Sequence, residues 1–526
     1  MTCLAKRLLW LVPAGFVGLL FLWPLVNILA KGFAQEWAHD LFDARTLELI
    51  WFTAWQAILS TLLCLILGIP GAYVLYRKKF RGQRVLRALI TIPFMLPTIV
   101  VATAFSVFQN GNTNPIVLII IAHVFINYSL TVRTIGSQWV ELDRTTEEAA
   151  ALAGAGRLRI LWSISLPQLR SSVISSASTT FMYCAASYGI ILVLGGGTVQ
   201  TIETEIATSA IGLLDLPRTA ALALIQTALS ALAFAVSNRG GRNDFGIGSV
   251  HYVESRDWID KRDLPAVFIT GLIIFGLLLL PMWDIFARAL ADPENFTRLD
   301  SRGTRDLLNI SVLQSLGNSM RNLVISMIVS MVIGTLIAWL LAHSRLKRTR
   351  VMVELLMVLP LGISTVVLGF GYLITFTNST IPLRESWLVV PLIQSVMAVP
   401  LVTRIIYPAL LAVGVQQTEN AAMDGANAWQ IWRHIESPQI RSAITTASAF
   451  AGLVSIGEFG AASLLAFGDQ ATLPTVLYTL VSRPGGHNYG MAMAVSVLLI
   501  LFTFLIVLLV SYESPRQLLR KRSVRA

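Results

Sequence analysis

Two stretches of the sequence carry the same residue types at the same spacing. In the first, Glu148-Ala149-Ala150 is followed after three residues by Gly154, after nine more by Ile164, and after one more by Leu166-Pro167. The second copy keeps this spacing, departs at Asn420 and Ser437, and consists of Glu419, Ala421, Gly425, Ile435 and Pro438. The chain has no H-E-x-x-H motif and no cluster of titratable groups that could share a reaction centre. We therefore expect these residues to transmit force rather than to catalyse a reaction.

The residue types in each copy predict two short helices joined at a glycine. The Ala-rich segment after Thr145 favours a helix, with Thr145 as its cap and Glu148 in its first turn. Gly154 allows a positive φ, and Pro167 ends the second helix before the next apolar run. Such an elbow could pass force from outside a membrane to helices inside it. The alternative is a capped amphipathic hairpin, but two copies with one spacing favour the elbow.

Glu458 is the most informative single residue, because it lies within an apolar run. A carboxylate near the centre of a membrane helix costs roughly 2.5 to 3.5 kcal/mol unless it is paired or hydrated. We expect Glu458, with Ser455, Gly457 and Phe459, to line a translocation pathway or its gate. The alternative is a helix-packing contact with a buried partner.

A second group of pathway candidates lies in the first half of the chain. His123 and Asn127 are four residues apart and share one helix face. Ser187-Tyr188-Gly189 matches Ser455-Ile456-Gly457 by residue type, so both groups are expected to face one cavity. A lone histidine in an apolar helix is more often a hydrogen-bonded packing residue, and that alternative stays open for His123. The glycines at 195–197 could form a gate or an ordinary loop.

The elements that position these residues must be membrane helices. Of 526 residues, 55% are hydrophobic and 13% are charged, whereas soluble chains carry about 25% charged residues. Runs of about 20 apolar residues recur along the whole chain, which excludes a soluble domain with one anchor. We predict an all-α polytopic protein with about twelve spans, at residues 8–30, 50–76, 88–108, 115–136, 173–195, 219–237, 264–288, 320–343, 352–376, 387–409, 443–466 and 490–511.

The net charge of +11 fits membrane orientation better than a nucleic-acid partner, because each basic cluster adjoins an apolar run. Placing these clusters inside puts both termini in the cytoplasm. The cytoplasmic loops then lie at about 77–87, 137–172, 238–263, 344–351 and 410–442. The outer segments are 31–49, 289–319 and 467–489.

The two halves resemble each other, which predicts two parallel six-helix repeats. IAHVFINYSLTVRTI from Ile121 aligns with LIQSVMAVPLVTRII from Leu392, so Arg133 matches Arg404. We place the first repeat at 1–237, a cytoplasmic linker at 238–263 and the second repeat at 264–526. The elbows occupy 148–167 and 419–438.

The paired spacing resembles the EAA loop of binding-protein-dependent ABC importer permeases, the type I permease fold. The segments AHVFIN (from Ala122), LGGGTVQTIETEI (from Leu194) and SIGEFGAASLL (from Ser455) are similar to the thiamine and iron(III) permease group. LGGG followed by TIE favours thiamine or a phosphorylated form, whereas SIGEFGA is shared with the iron group.

This resemblance implies a permease subunit of the bacterial inner membrane that is not itself an enzyme. It implies two ABC ATPase subunits on the cytoplasmic side, which hold ATP and Mg, and an external substrate-binding protein. The chain lacks G-x-x-x-x-G-K-[ST], so the ATPase must be another polypeptide. No cofactor, metal or nucleic acid is expected on this chain. The rival is an ion-coupled secondary transporter, which intramembrane carboxylates would favour, and here Glu458 is nearly alone.

Overall fold

The computed structural model describes residues 3–33, 43–109, 113–239, 257–343, 353, 359–377, 386–483 and 485–523. Within these ranges the chain is almost entirely helical, which confirms the predicted all-α class. Two short strands, β1 (Lys78–Lys79) and β2 (Asp257–Trp258), pair in parallel. The predicted loop at 344–351 and most of the linker lie outside the described residues.

The first half contains fourteen of the described helices. They are α1 Cys3–Val17, α2 Trp23–Phe33, α3 Ala44–Ala72, α4 Gln83–Leu89, α5 Thr91–Met95, α6 Thr98–Ser106, α7 Pro115–Glu141, α8 Thr145–Leu152, α9 Arg157–Ile160, α10 Leu166–Gln168, α11 Arg170–Ala185, α12 Gly189–Leu194, α13 Ile202–Ala207 and α14 Leu216–Arg239. A π-helical turn, Gly18–Leu22, joins α1 to α2, and another, Tyr73–Arg77, extends α3.

The second half repeats much of this order. Its described helices are α15 Leu264–Leu272, α16 Leu280–Leu290, α17 Glu294–Thr297, α18 Val312–Ala342, α19 Thr365–Phe376, α20 Val389–Leu411, α21 Val415–Met423, α22 Ala428–Ile431, α23 Ser437–Gln439, α24 Arg441–Gly457, α25 Gly460–Leu465, α26 Leu473–Ser482 and α27 Gly486–Ser523. The turn Ile273–Leu279 joins α15 to α16.

Eight helices of the described chain are long and apolar enough to cross a membrane. They correspond to eight of the twelve predicted spans. Of the other four predicted spans, three are bent or broken, and the span at 352–376 is described only at residues 353 and 359–376. The span at 88–108 bends by 94° between α5 and α6, and α19 is the described apolar helix of the span at 352–376. The spans at 173–195 and 443–466 are each broken, between α11 and α12 and between α24 and α25.

The chain forms two compact units that do not coincide with its two sequence halves. The first unit contains Ala38–Glu205 and Ile225–Asp292, and the second contains Met1–Trp37, Ile206–Leu224 and Pro293–Ala526. The first helix of each half thus belongs to the unit of the other half. The boundaries at 237 and 264 were predicted from the duplication in the sequence, and they stay a prediction.

In the first unit, α3, α7 and α11 pack together, and α12 packs on α6. The exchanged helices cover this group, since α15 packs on α3 and α16 packs on α6. A close approach of α3 to α7 requires Gly68, because a Cβ there would lie 2.6 Å from the Thr131 side chain. The loops that carry β1, the first elbow and β2 contact one another, so the three predicted cytoplasmic loops share one end of this unit.

The second unit repeats this packing. Helices α18, α20 and α24 pack together, α25 packs on α19, α1 packs on α18 and α2 packs on α19. Gly334 has the role of Gly68, since a Cβ there would lie 2.6 Å from the Val402 side chain. At the other end from the second elbow, the amide of Asn318 donates to the carbonyl of Asp469 at 2.7 Å, which brings two predicted outer loops together.

Candidate functional site

The first elbow consists of α8, a turn at Gly154 and α9, as the spacing predicts. Gly154 has φ +84°, and the N–H of Ala155 donates to the carbonyl of Ala150 at 3.0 Å, which closes the end of α8. Glu148 and Ala149 face solvent on α8, whereas Ile164 is half-buried in the π-helical turn Leu161–Ser165. The elbow is thus a rigid turn with an exposed outer face.

The cap of α8 differs from the prediction. Thr145 is its first residue, and the capping side chain is that of Asp143, which accepts the Thr145 N–H at 3.0 Å and its hydroxyl at 2.8 Å. The backbone N–H of Thr145, followed by its hydroxyl, holds the pKa of Asp143 below its usual range. Asp143 therefore remains ionised at neutral pH and keeps the start of α8 fixed.

The second elbow, α21, Gly425 and α22, reproduces this geometry 271 positions later, from 154 to 425. Gly425 has φ +87°, and the N–H of Ala426 donates to the carbonyl of Ala421 at 2.9 Å. Glu419 is exposed like Glu148, and Ile435 lies in the π-helical turn Trp432–Glu436. Pro167 and Pro438 both lie in the one-turn helices, α10 and α23, that follow. The departures at Asn420 and Ser437 leave the backbone unchanged.

A buried cation holds the first elbow. The guanidinium of Arg77 pairs with the carboxylate of Glu147 and donates to the carbonyl of Trp139 at 3.3 Å. The hydroxyl of Ser165 donates to the other oxygen of Glu147 at 2.7 Å. We call Arg77, Glu147 and Ser165 the first clasp, because they tie the end of α3 to both helices of the elbow.

The second elbow is held by different residues at matching places. Oε1 of Glu436 lies 3.0 Å from Nε2 of His343, and Oε2 accepts the indole N–H of Trp339 at 3.0 Å. Nδ1 of His343 lies 2.9 Å from the carbonyl of Trp339. Both ring nitrogens thus face acceptors, which only the protonated imidazole can satisfy with two donors. We call His343, Glu436 and Trp339 the second clasp.

The pathway candidates lie at two helix breaks, and the structure corrects their alignment. The chain re-enters a helix at Gly189 in the first break and at Gly460 in the second, again 271 positions apart. Ser187 and Tyr188 are therefore equivalent to Glu458 and Phe459. The predicted match of Ser187-Tyr188-Gly189 with Ser455-Ile456-Gly457 was wrong by three residues. It followed the similarity of residue types rather than the constant spacing of 271 positions.

Glu458 caps the helix that follows the second break. Its carboxylate accepts the N–H of Ala461 at 2.7 Å and that of Ala462 at 3.1 Å, and the side chain is 6% exposed. These two backbone donors would otherwise be unsatisfied at the start of α25. The partner of Glu458 in the structure is thus the positive end of a helix, while its role in a pathway stays a prediction.

Side-chain amides satisfy the opposite ends of the breaks. Gln56 donates to the carbonyl of Cys184 at 3.1 Å and Gln226 to that of Ala185 at 3.2 Å. In the second unit, Gln394 donates to the carbonyl of Ser455 at 3.1 Å and accepts the Ser455 hydroxyl at 2.6 Å. These glutamines were not among the predicted site residues, although an amide side chain in an apolar helix is a visible signal in the sequence.

His123 and Asn127 lie beside the first break. Nδ1 of His123 is 3.3 Å from the hydroxyl of Ser60, and the Asn127 amide donates to the carbonyl of His123 at 3.0 Å and to Sγ of Cys184 at 3.5 Å. Both residues are buried. These hydrogen bonds are those expected of packing residues, but Nε2 of His123 and Oδ1 of Asn127 have no hydrogen-bond partner among the described residues. The place of both residues in a pathway stays a prediction.

Glu458 is not nearly alone among buried acids. Glu203 and Glu205, on α13, are both 0% exposed, and Oε1 of Glu205 pairs with Arg45 at 3.0 Å. Both residues belong to the segment LGGGTVQTIETEI and were not predicted to be buried. Among the described residues, no group of three or more His, Cys, Asp or Glu side chains is placed to hold a metal ion.

Long apolar helices, broken spans and paired elbows define a polytopic membrane protein. The family of binding-protein-dependent transport system inner membrane components matches residues 64–239 and 331–518. The chain therefore belongs to this family, which confirms the predicted resemblance and makes it a multi-pass inner-membrane transport subunit of an ABC importer.

Several relatives match nearly the whole chain. It is 25% identical over 525 residues to a thiamine transport system permease protein, ThiP, of Haemophilus influenzae, with 94% of each chain covered. It is 26% identical over 524 residues to ThiP of Brucella abortus, with 92% of this chain and 93% of the relative covered. A molybdate/tungstate transport system permease protein, WtpB, of Thermococcus kodakarensis is 31% identical over 155 residues, 29% of this chain and 63% of that protein.

Proposed function

We propose that this subunit imports thiamine or a phosphorylated form of it, and that each elbow docks one ATPase subunit. The substrate assignment rests on relatives that match the chain nearly end to end and are named for thiamine transport. The docking assignment rests on one feature of the structure, the apolar side chains that both elbows expose.

The exposed apolar side chains occupy matching positions. Leu152 is 90% exposed and Met423, 271 positions later, is 79% exposed. Leu158 and Trp429, again 271 positions apart, are 73% and 65% exposed. Large apolar groups exposed together outside the membrane spans favour a protein partner. Because the chain lacks a phosphate-binding loop, an ATP-hydrolysing partner fits both the surface and the need for a motor.

In this proposal the elbows face the cytoplasm, as do both termini. The basic clusters support this orientation, since Arg77, Lys78 and Lys79 lie at the same end of the first unit as the first elbow. A substrate-binding protein delivers substrate to the outer loops. ATP and Mg bind the ATPase pair, whose closure moves the elbows and opens the pathway outward, and hydrolysis resets it. His123, Asn127, Ser187, Glu458 and their neighbours are the proposed pathway residues.

Docking is tested with the complete transporter, the permease together with its ATPase and binding protein. Leu152→Asp and Met423→Asp should each lower the amount of ATPase that copurifies, and the double variant should abolish it. Leu213→Asp is the matched control, because Leu213 is also exposed, at 62%, but lies outside both elbows. ATPase binding that survives the double variant would refute elbow docking.

The substrate is tested by uptake of radiolabelled thiamine into cells that express the transporter. We expect uptake to disappear when the ATPase gene is deleted and to be competed by unlabelled thiamine or thiamine phosphate. Competition by ferric ion alone would support the iron(III) alternative. Uptake that persists without the ATPase would support an ion-coupled carrier and overturn the proposal.

A further inference from the structure

The end of the linker between the two halves binds the first elbow. Strand β2 pairs with β1, with Asp257 opposite Lys78 and Trp258 opposite Lys79. Arg144, at the start of the elbow, donates to the carboxylate of Asp257 at 2.7 Å. The linker segment thus adds a strand and a salt bridge to the region from which the elbow begins. We call residues 257–263 the brace.

Asp263 is the centre of the brace. Its carboxylate is 1% exposed, and Oδ1 accepts from Arg157 at 2.6 Å and from the Tyr73 hydroxyl at 3.0 Å. Oδ2 accepts from Lys78 at 3.1 Å and from the backbone N–H of Asp260 at 2.9 Å. One carboxylate therefore joins α9 of the elbow, the end of α3 and the brace itself. A buried carboxylate with this many donors fixes its partners strongly, because removing it leaves the buried ammonium of Lys78 without a carboxylate and leaves half-exposed Arg157 with Asp260 alone.

The brace continues directly into the first helix of the second half. Asp263 is followed by Leu264, the first residue of α15, and α15 packs on α3 within the same unit. A displacement of α9 acts on Asp263 through Arg157 and reaches α15 within one residue. The contact is short, covalently continuous and carried by charge-assisted bonds, which makes it suited to transmit motion rather than only to fill space.

The second elbow lacks the residue that this contact needs. Ala428 stands 271 positions after Arg157, at the first residue of α22. An alanine cannot pair with a carboxylate. The two elbows therefore share a backbone but differ in what holds their second helix.

We propose that the brace is a one-sided transmission element, in which Asp263 is a positioning residue that couples the first elbow to α15. This rests on the proposed function, in which an ATPase moves the elbow. The two elbows are therefore unequal. Motion at the first elbow is passed directly to α15, whereas among the described residues no hydrogen bond or ion pair joins α22 to α1.

Hydrogen exchange of the full-length permease in nanodiscs, with and without its ATPase, tests the brace. In Asp263→Asn we expect amides of residues 145–165 to exchange about tenfold faster, the factor that corresponds to 1.4 kcal/mol. Amides of 416–436 should be unchanged. Transport should also uncouple, with more ATP hydrolysed per thiamine moved, although the ATPase still copurifies. Asp284→Asn is the matched control, since Asp284 lies on α16 and pairs with Arg288 instead.

If Asp263→Asn does not assemble, the salt bridge between Arg144 and Asp257 provides a second test, in which the two charges are exchanged. Arg144→Asp and Asp257→Arg should each speed exchange at 145–165, and the double variant should restore it. Unchanged exchange at 145–165, equal acceleration at 416–436, or no rescue by the double variant would each overturn the brace. These outcomes are separate from failure of the proposed function, which the wild-type transporter reveals if its ATPase does not bind the elbows.

Discussion

Each clasp holds its elbow with a carboxylate and a cation, but the carboxylate lies on a different arm of the elbow in the two units. In the first, the carboxylate is on α8 at Glu147 and the hydroxyl is at Ser165. In the second, the positions 271 residues later hold Thr418 and Glu436, so the carboxylate has moved to the other arm of the elbow. The cation also differs, since Arg77 serves the first clasp and His343 the second. Each elbow is thus held by a carboxylate on one of its two arms and by a cation from the end of the second span of its half.

The difference in cation makes the clasps unequal. Arginine stays charged at any physiological pH, whereas histidine binds as a cation only when protonated. The second clasp is therefore the one that deprotonation weakens, and its side chain is also more solvated, with His343 34% exposed against 6% for Arg77. We expect the first elbow to be the more firmly held. Four sets of variants compare the two units at their clasps, helix breaks and elbow glycines.

The largest effect is expected from removing the cations. Arg77→Gln leaves Glu147 without its partner and should lower the local stability of the first elbow by about 2 kcal/mol, below the usual 3–5 for a fully buried pair because Glu147 keeps some water contact. His343→Gln should cost about 1 kcal/mol at the second elbow. Hydrogen exchange at 145–165 and 416–436 measures both. Equal losses would contradict the inequality of the clasps.

The second largest effect is expected at the helix breaks, where variants of Glu458 and of the equivalent Ser187 should differ in uptake. Glu458→Ala leaves the N–H groups of Ala461 and Ala462 unsatisfied, and we expect uptake to fall about tenfold while the ATPase still copurifies. Ser187→Ala at the equivalent position should change uptake less than about twofold, since the Ser187 hydroxyl makes no hydrogen bond within the described part of the chain.

Glu458→Gln separates the two roles of this residue. An amide oxygen keeps one of the two backbone hydrogen bonds, so a pure capping role predicts a small loss of uptake. A charge requirement in the pathway predicts a loss as large as that of alanine. Wild-type uptake in both Glu458 variants would contradict either role.

The elbow glycines should show no difference between the units. Because both have φ near +85°, Gly154→Ala and Gly425→Ala should each destabilise their elbow by about 1 kcal/mol. A Cβ meets no atom within 4 Å at either position, so the strain is confined to the backbone. ATP hydrolysis coupled to uptake measures the effect, and a loss from only one variant would show that the elbows are not equivalent in backbone.

The smallest net effect is expected from converting the first clasp into the second arrangement. Glu147→Thr alone should behave like loss of the pair. Adding Ser165→Glu restores a carboxylate at the position that Glu436 occupies, and we expect uptake within about twofold of wild type. A double variant no better than Glu147→Thr would mean that the carboxylate position is fixed in each unit.

The elbows were predictable because their signal is local. A glycine at a fixed distance from an Ala-rich helix specifies a positive φ, and the structure places that turn at Gly154 and at Gly425. The helix breaks were not predictable from hydropathy, since breaking an apolar run at Tyr188 or Phe459 leaves its composition unchanged. The constant spacing of 271 residues contained the correct alignment of these breaks, but residue similarity suggested another.

Long-range pairing accounts for most of what the sequence did not reveal. Glu436 lies within the predicted elbow at 419–438, and only the fold brings Trp339 and His343 to it. Asp263 looked like an ordinary linker residue for the same reason. The exchange of first helices was also hidden, because periodicity defines which face of a helix is apolar but not which neighbour covers that face.

The exchange of first helices has a consequence for the order in which the chain can mature. Helices α3, α6 and α7 are synthesised before α15 and α16, which cover them, so the first unit stays incomplete until translation has passed residue 290. Helices α1 and α2 are synthesised first, and the helices on which they pack, α18 and α19, are synthesised later. Both units are therefore complete only when the two halves of the chain are together in the bilayer. Cutting the gene at the linker would leave α1 and α2 on one fragment and α15 and α16 on the other, each apart from the unit in which it packs.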